Sequence, residues 1–223
     1  MPKTLTAAEA ARAVVACGVV VLLAACNRAA VRIPLASLPF PDTPTGFRAS
    51  SELSVGITVL PIVDTRPSHY GERVGGTRWT ACETDSFIGN EAAEVVGSRL
   101  ETALIKSGLF QTVSTEADRP ERLVLRTQMD AFCAQAWGFL FIRVAGISAF
   151  RFQVNEGERI LFDEKIEQVV TDADDAYTGW AAATIEQAMR RALADSLRLV
   201  LTRFLAQAEA ALSPVISPAA SPP

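Results

Sequence analysis

Histidine is almost missing from this chain: His69 stands alone among 223 residues. A multi-histidine metal site is thereby excluded, and a hydrolase built on a Ser-His or Cys-His pair would have to use that one ring. No Gly-x-Ser-x-Gly elbow accompanies it, so His69, beside Pro67 and Tyr70, reads as an ordinary loop residue. Gly71 and Gly76 have the separation of a phosphate loop, but the lysine is missing and the segment neither follows a strand directly nor opens a helix. The acidic groups Asp163, Glu164, Glu167, Asp172, Asp174 and Asp175 lack the alternating oxygens and central glycine of an EF-hand, and read as solvated strand and turn positions. An excess of positive charge is absent as well. Twenty-one Lys and Arg against 25 Asp and Glu give −4, which offers no footprint for nucleic acid. The chain is therefore read as non-enzymatic, with no catalytic residue, metal site or cofactor to nominate.

The N-terminal apolar run, Ala13 to Ala25, is too short to span a bilayer and has the length of a signal h-region behind a basic start at Lys3 and Arg12. It ends in Leu23-Ala24-Ala25-Cys26, which resembles the bacterial lipobox. That resemblance implies removal of residues 1–25 and acylation of Cys26, which becomes the first mature residue and carries the chain to a membrane through its lipid, palmitate included. Losing Lys3, Arg12 and Glu9 with the leader moves the balance from −4 to −5. Asn27 after the cysteine, by resemblance to enterobacterial sorting, implies the outer membrane with the domain facing the periplasm.

Residues 26–52, with Pro34, Pro39, Pro41 and Pro44, read as a lipidated start and an extended tether. Residues 53–207 read as one periplasmic domain, and the Ser-, Pro- and Ala-rich 208–223 as a disordered tail. Within the domain, Val55 to Val63 is rich in β-branched residues and stops at Asp64-Thr65-Arg66-Pro67, with Pro61 predicting an edge or bulge. Ala92, Val96, Leu100, Ala103 and Leu104 share a helical face that Asn90 can cap and Gly108 can stop. A short strand follows over Leu109 to Val113. Leu123 to Ala134 alternates as a half-buried strand, with Leu123, Leu125, Met129, Ala131 and Cys133 on one face and Arg126, Gln128 and Asp130 on the other. Ile142–Val154 and Arg159–Val170 flank a turn at Gly157 and predict a hairpin. After an acidic break at Asp172 to Asp175, Thr178–Gln207 predicts a long amphipathic helix. The expected fold is α+β: a two-layer sandwich, with one mostly antiparallel or mixed sheet of four to five strands and two helices on one face.

Cys82 and Cys133 are the two cysteines left once Cys17 and Cys26 are accounted for. In an oxidising compartment they suggest a disulfide stabilising the fold by ~4 kcal/mol, while the alternation around Cys133 equally suits an inert core thiol. Trp137, Phe139 and Phe141 concentrate aromatic surface between two strands. They read either as an exposed apolar loop that meets lipid or protein, which Trp79 extends, or as a strand start buried against the long helix.

The lipobox at Cys26, the first strand ending Val63-Asp64-Thr65-Arg66-Pro67, and the helix through Leu100 and Leu104 into Ser107-Gly108-Leu109-Phe110 make the pattern similar to a loose group of Gram-negative envelope lipoproteins. These are the auxiliary lipoproteins of ABC-type transport systems, the lipopolysaccharide-assembly lipoprotein, and small outer-membrane lipoproteins. The resemblance implies an accessory or binding component of an envelope transport or assembly system with a protein partner in the envelope. A lipid- or glycan-binding domain acting alone is the alternative, for which an apolar pocket between helices and sheet would speak.

Overall fold

A computed structural model describes residues 41–42, 44–66, 92–118, 120–137, 142–177 and 182–216. The chain runs β1 (Leu53–Val59), β2 (Val63–Asp64), α1 (Ala92–Ser107), β3 (Phe110–Ser114), β4 (Leu123–Trp137), β5 (Ile142–Glu156), β6 (Arg159–Tyr177) and α2 (Ala182–Ile216). The fold is α+β, and its mixed sheet has the order β3-β1-β4-β5-β6, with β2 added on β4. β1 lies parallel to β3 and β4, while β4, β5 and β6 form an antiparallel meander. Six strands exceed the four to five expected because β2, two residues long, is too short to announce itself in sequence. Pro61 falls where the chain leaves β4 between Leu125 and Gln128. β3 has already ended there, so the missing N–H leaves no ladder bond unmade.

The helix face read from sequence is the buried face of α1: Ala92, Val96, Leu100, Ala103 and Leu104. Gly108, at φ 66°, ends the helix in the left-handed conformation that residues with a Cβ adopt at a cost. The buried Ser107 hydroxyl donates to the Leu104 carbonyl (2.6 Å) and accepts from the Leu109 N–H (3.1 Å), satisfying two end groups.

α2 covers the meander. Phe204 stacks on Phe152 at 4.2 Å between ring centroids and meets Phe162 at 5.8 Å, and Phe150 and Phe132 continue the cluster along the sheet. At Gly146 of β5 a Cβ would run into the Ala192 backbone, so the absent side chain sets how closely helix and strand approach. α2 is long and apolar enough to cross a membrane by length and composition, but Met189, Leu193, Leu197, Val200, Phe204, Leu205, Ala208 and Leu212 are all buried in the core. The stripe continues past Gln207 through Ala208 and Leu212, which corrects the expectation of disorder from residue 208: residues 208–216 are helical. Pro214 sits in the final turn, so the bond its missing N–H forgoes is lost at the helix end and not in its interior.

Two further expectations are corrected. The meander is longer than its hydrophobic pattern suggested, since β6 runs through the acidic stretch to Tyr177, paired with Ile142. β4 also carries a bulge at Asp130: Met129 faces Phe150, whereas Ala131 faces Ala149. The extra residue exchanges the two faces beyond it. Phe132 and Ala134 turn toward α2, while Ala131 and Cys133 join Ala145, Ile147 and Ala149 on the opposite face, all at 1% exposure or less. β4 is thus half-buried only before the bulge and buried on both faces after it.

Candidate functional site

Most residues nominated from sequence, Cys26, Trp79, Cys82, Phe139 and Phe141, lie outside the described residues, as does the loop residue His69. Trp137 closes β4, and the ladders bring its backbone to one end of the sheet with Ile142 and Tyr177. The connection bearing Phe139 and Phe141 therefore joins strands at that end. Cys133 is buried and disulfide-bonded, and its partner lies outside the described residues.

Near the bulge, the Asp-Thr-Arg segment is clamped to β4. Arg66, 8% exposed, donates to Asp64 through Nε (2.9 Å) and Nη2 (2.6 Å), and its Nη1 reaches the Phe132 carbonyl at 3.3 Å. Thr65 places its N–H 3.0 Å and its hydroxyl 3.1 Å from the Met129 carbonyl, with that hydroxyl also 3.0 Å from Asp130 Oδ1. Lys165 pairs with the other Asp130 oxygen at 2.7 Å. Burial pushes the Asp64 carboxyl up, but the Arg66 hydrogen bonds and charge outweigh it and hold the group below its usual range. The side chains of Asp64, Thr65, Arg66, Asp130 and Lys165 fix β2 and the bulge in one register. The sequence carried a signal, a turn cluster directly after a strand, but not the identity of its receptor.

Beside this clamp, Pro61, Val63, Arg126, Gln128, Arg151 and Gln153 line a shallow groove of about 310 Å³ on the sheet face turned away from α2. Arg151 grips Asp163 with two bonds of 2.7 and 2.8 Å, whereas Arg126 is exposed and has no ion pair among the described residues. The hydrogen bonds from Arg151 hold the Asp163 carboxyl below its ordinary range, so it stays ionised at neutral pH and has no proton to give there. Glu164 and Glu167 do not join it in a metal site, and no group of three His, Cys, Asp or Glu among the described residues could hold an ion. The groove thus presents guanidinium and amide groups over an apolar edge formed by Pro61 and Val63.

A second site lies where the tether meets the helices. Residues 44–52 were expected to belong to a free spacer. Instead the Thr45 carbonyl accepts from Thr202 (3.2 Å), Ala49 donates to the Ser107 carbonyl (2.9 Å), Phe47 packs on the core, and Ser50 donates through N–H and hydroxyl to Glu209 (2.6 and 2.5 Å). Those bonds from Ser50 hold the Glu209 carboxyl below its ordinary range. Asp42 adds an ion pair to Arg99 at 2.6 Å. The strap is a tertiary feature that proline content could not announce.

No family model and no curated protein matches this chain. Among solved structures it is similar to a Xanthomonas campestris protein assigned to DUF330, at 13% identity and TM-score 0.45, covering 81% of this chain and 92% of that one. It is also similar to a minor lipoprotein from Acinetobacter baumannii, at 12% identity and TM-score 0.35, covering 68% and 92%.

Proposed function

We propose that this chain is a non-enzymatic lipoprotein anchored through Cys26 to the periplasmic face of the outer membrane, whose two-layer domain serves as an accessory or binding component of an envelope transport or assembly system. The observation that carries the anchor is the Leu23-Ala24-Ala25-Cys26 box after a short apolar run. Partner binding, rather than enclosure of a ligand, is supported by the packing between α2 and the sheet: the Phe152–Phe204 stack and the contact at Gly146 fill the space an internal apolar pocket would need. The sheet end that gathers Trp137, Ile142 and Tyr177 is the proposed contact surface, with Phe139, Phe141 and Trp79 as its apolar anchors.

The test is crosslinking in the native envelope followed by mass spectrometry, comparing wild type with a Trp137→Ser, Phe139→Ser, Phe141→Ser variant. Capture of a transport or assembly complex that the variant loses is the expected result. Recovery of bound lipid or glycan alone would replace this reading with an autonomous ligand-binding lipoprotein.

A further inference from the structure

The cleft under the strap has a chemistry that its structural role does not require. Its volume is about 140 Å³, its floor includes Phe47 and Leu201, and four cations line it: Arg48, Arg99, Lys106 and Arg198. Arg99 is already paired with Asp42, and Arg198 with Asp195 at 3.3 Å. Arg48 and Lys106 are exposed and have no ion pair among the described residues. Asp42 is the single carboxylate in the lining, so a chain that is acidic as a whole (−4) presents a locally positive cleft. Apolar floor and cationic rim together match an acidic headgroup joined to hydrocarbon.

Where the cleft sits selects the source of that headgroup. The strap is the domain end of the tether, and the stretch from Cys26 to Asp42 reaches about 50 Å at full extension, so this surface is leashed closest to the lipid. We infer that the strap cleft docks the phosphate headgroup of an anionic membrane phospholipid, turning α1 and α2 toward the bilayer and the groove and sheet end away from it; this rests on the anchor proposed above. Arg48 and Lys106 supply the two free charges, and Arg99 holds the strap in place through Asp42.

The full-length protein, purified with its lipid and reconstituted in vesicles, is compared in phosphatidylcholine alone and in phosphatidylcholine mixed with phosphatidylglycerol, reading amide exchange. Residues 44–52 and 99–106 should exchange about tenfold more slowly on the anionic vesicles, and high salt should erase the difference. Arg48→Glu with Lys106→Glu should erase it too, while amides of β5 and β6 keep their protection and certify the fold. Equal exchange on both vesicles would overturn the cleft as a lipid site. So would equal protection on uncharged vesicles given inorganic phosphate, which would assign it to a free anion. The mass of the N-terminal peptide reports the anchor separately. A chain without lipid would overturn the anchor, and with it the placement of the cleft at the membrane, whereas a lipidated chain with equal exchange would overturn the cleft alone.

Discussion

The two faces of the β4–β6 meander are built from opposite materials. Toward α2 the sheet presents Phe132, Phe150, Phe152 and Phe162, closed over by Phe204 and spaced by Gly146. Away from α2, before the bulge, it presents Arg126, Gln128, Arg151, Asp163 and Lys165. One face holds the fold through removal of apolar area from water; the other carries two solvent-screened ion pairs, Arg151–Asp163 and Lys165–Asp130, whose removal should hardly touch stability. The difference separates stability from surface chemistry: substitutions on the charged face change what the sheet presents to solvent without deciding whether the chain folds.

Phe204→Ala should open the sharpest gap between the faces. It removes a fully buried ring stacked at 4.2 Å and should cost about 3–5 kcal/mol, read as a lower urea midpoint. Arg66→Ala is expected next, at about 2–3 kcal/mol, because it strips Asp64 and the Phe132 carbonyl of a largely buried partner. Acid should act on the same clamp. The folded Asp64 carboxyl lies below its unfolded value, so its contribution is complete above about pH 4 and is lost as pH falls through the folded value. Asp64→Asn should flatten the acid limb of stability against pH, and an unchanged limb would remove Asp64 from the account.

Smaller effects are expected at the buried Ser148–Ser196 pair, 2.7 Å apart, where Ser196 donates to the Leu193 carbonyl at 2.8 Å and so leaves Ser148 to donate to Ser196. Each alanine substitution should cost about 1–2 kcal/mol, and the double substitution less than the two combined, since neither hydroxyl is then left unpartnered. Arg151→Ala should cost under about 1 kcal/mol despite its two-pronged grip on Asp163. If chemical denaturation ranked Arg151→Ala with Phe204→Ala, the contrast between the faces would fail.

Elements with strong local periodicity were legible in the sequence. The buried face of α1, its stop at Gly108 and the hairpin turn at Gly157 all follow from spacing and from glycines at φ 66° and 58°. What escaped depends on partners distant in sequence. The bulge at Asp130 is a property of the β4–β5 pairing, and it moved Cys133 to the face opposite the one alternation assigned. β6 continues through Asp172 because β5 offers it a ladder as far as Ile142, overriding low β-propensity. The end of α2 reads as a breaker at Ser213-Pro214 although Leu212 is still in the core. Of the candidate surfaces, the aromatic cluster at Trp137 was visible as composition, whereas the groove and the strap cleft exist only once β2, α1 and α2 are brought together.

The strap also decides how the molecule answers a pull. Tension along the tether falls first on the exposed Asp42–Arg99 pair and the Ser50–Glu209 bonds, which are weak links at the surface. When they part, the load passes to the Thr202–Thr45 and Ala49–Ser107 bonds and to the packing of Phe47, and only when these yield do residues 42–52 pay out ahead of β1. That strand is held by ladders to β3 on one side and β4 on the other. A domain built this way gives length before it gives structure, so that a pull from its N-terminal side is absorbed in the strap while the sheet stays whole.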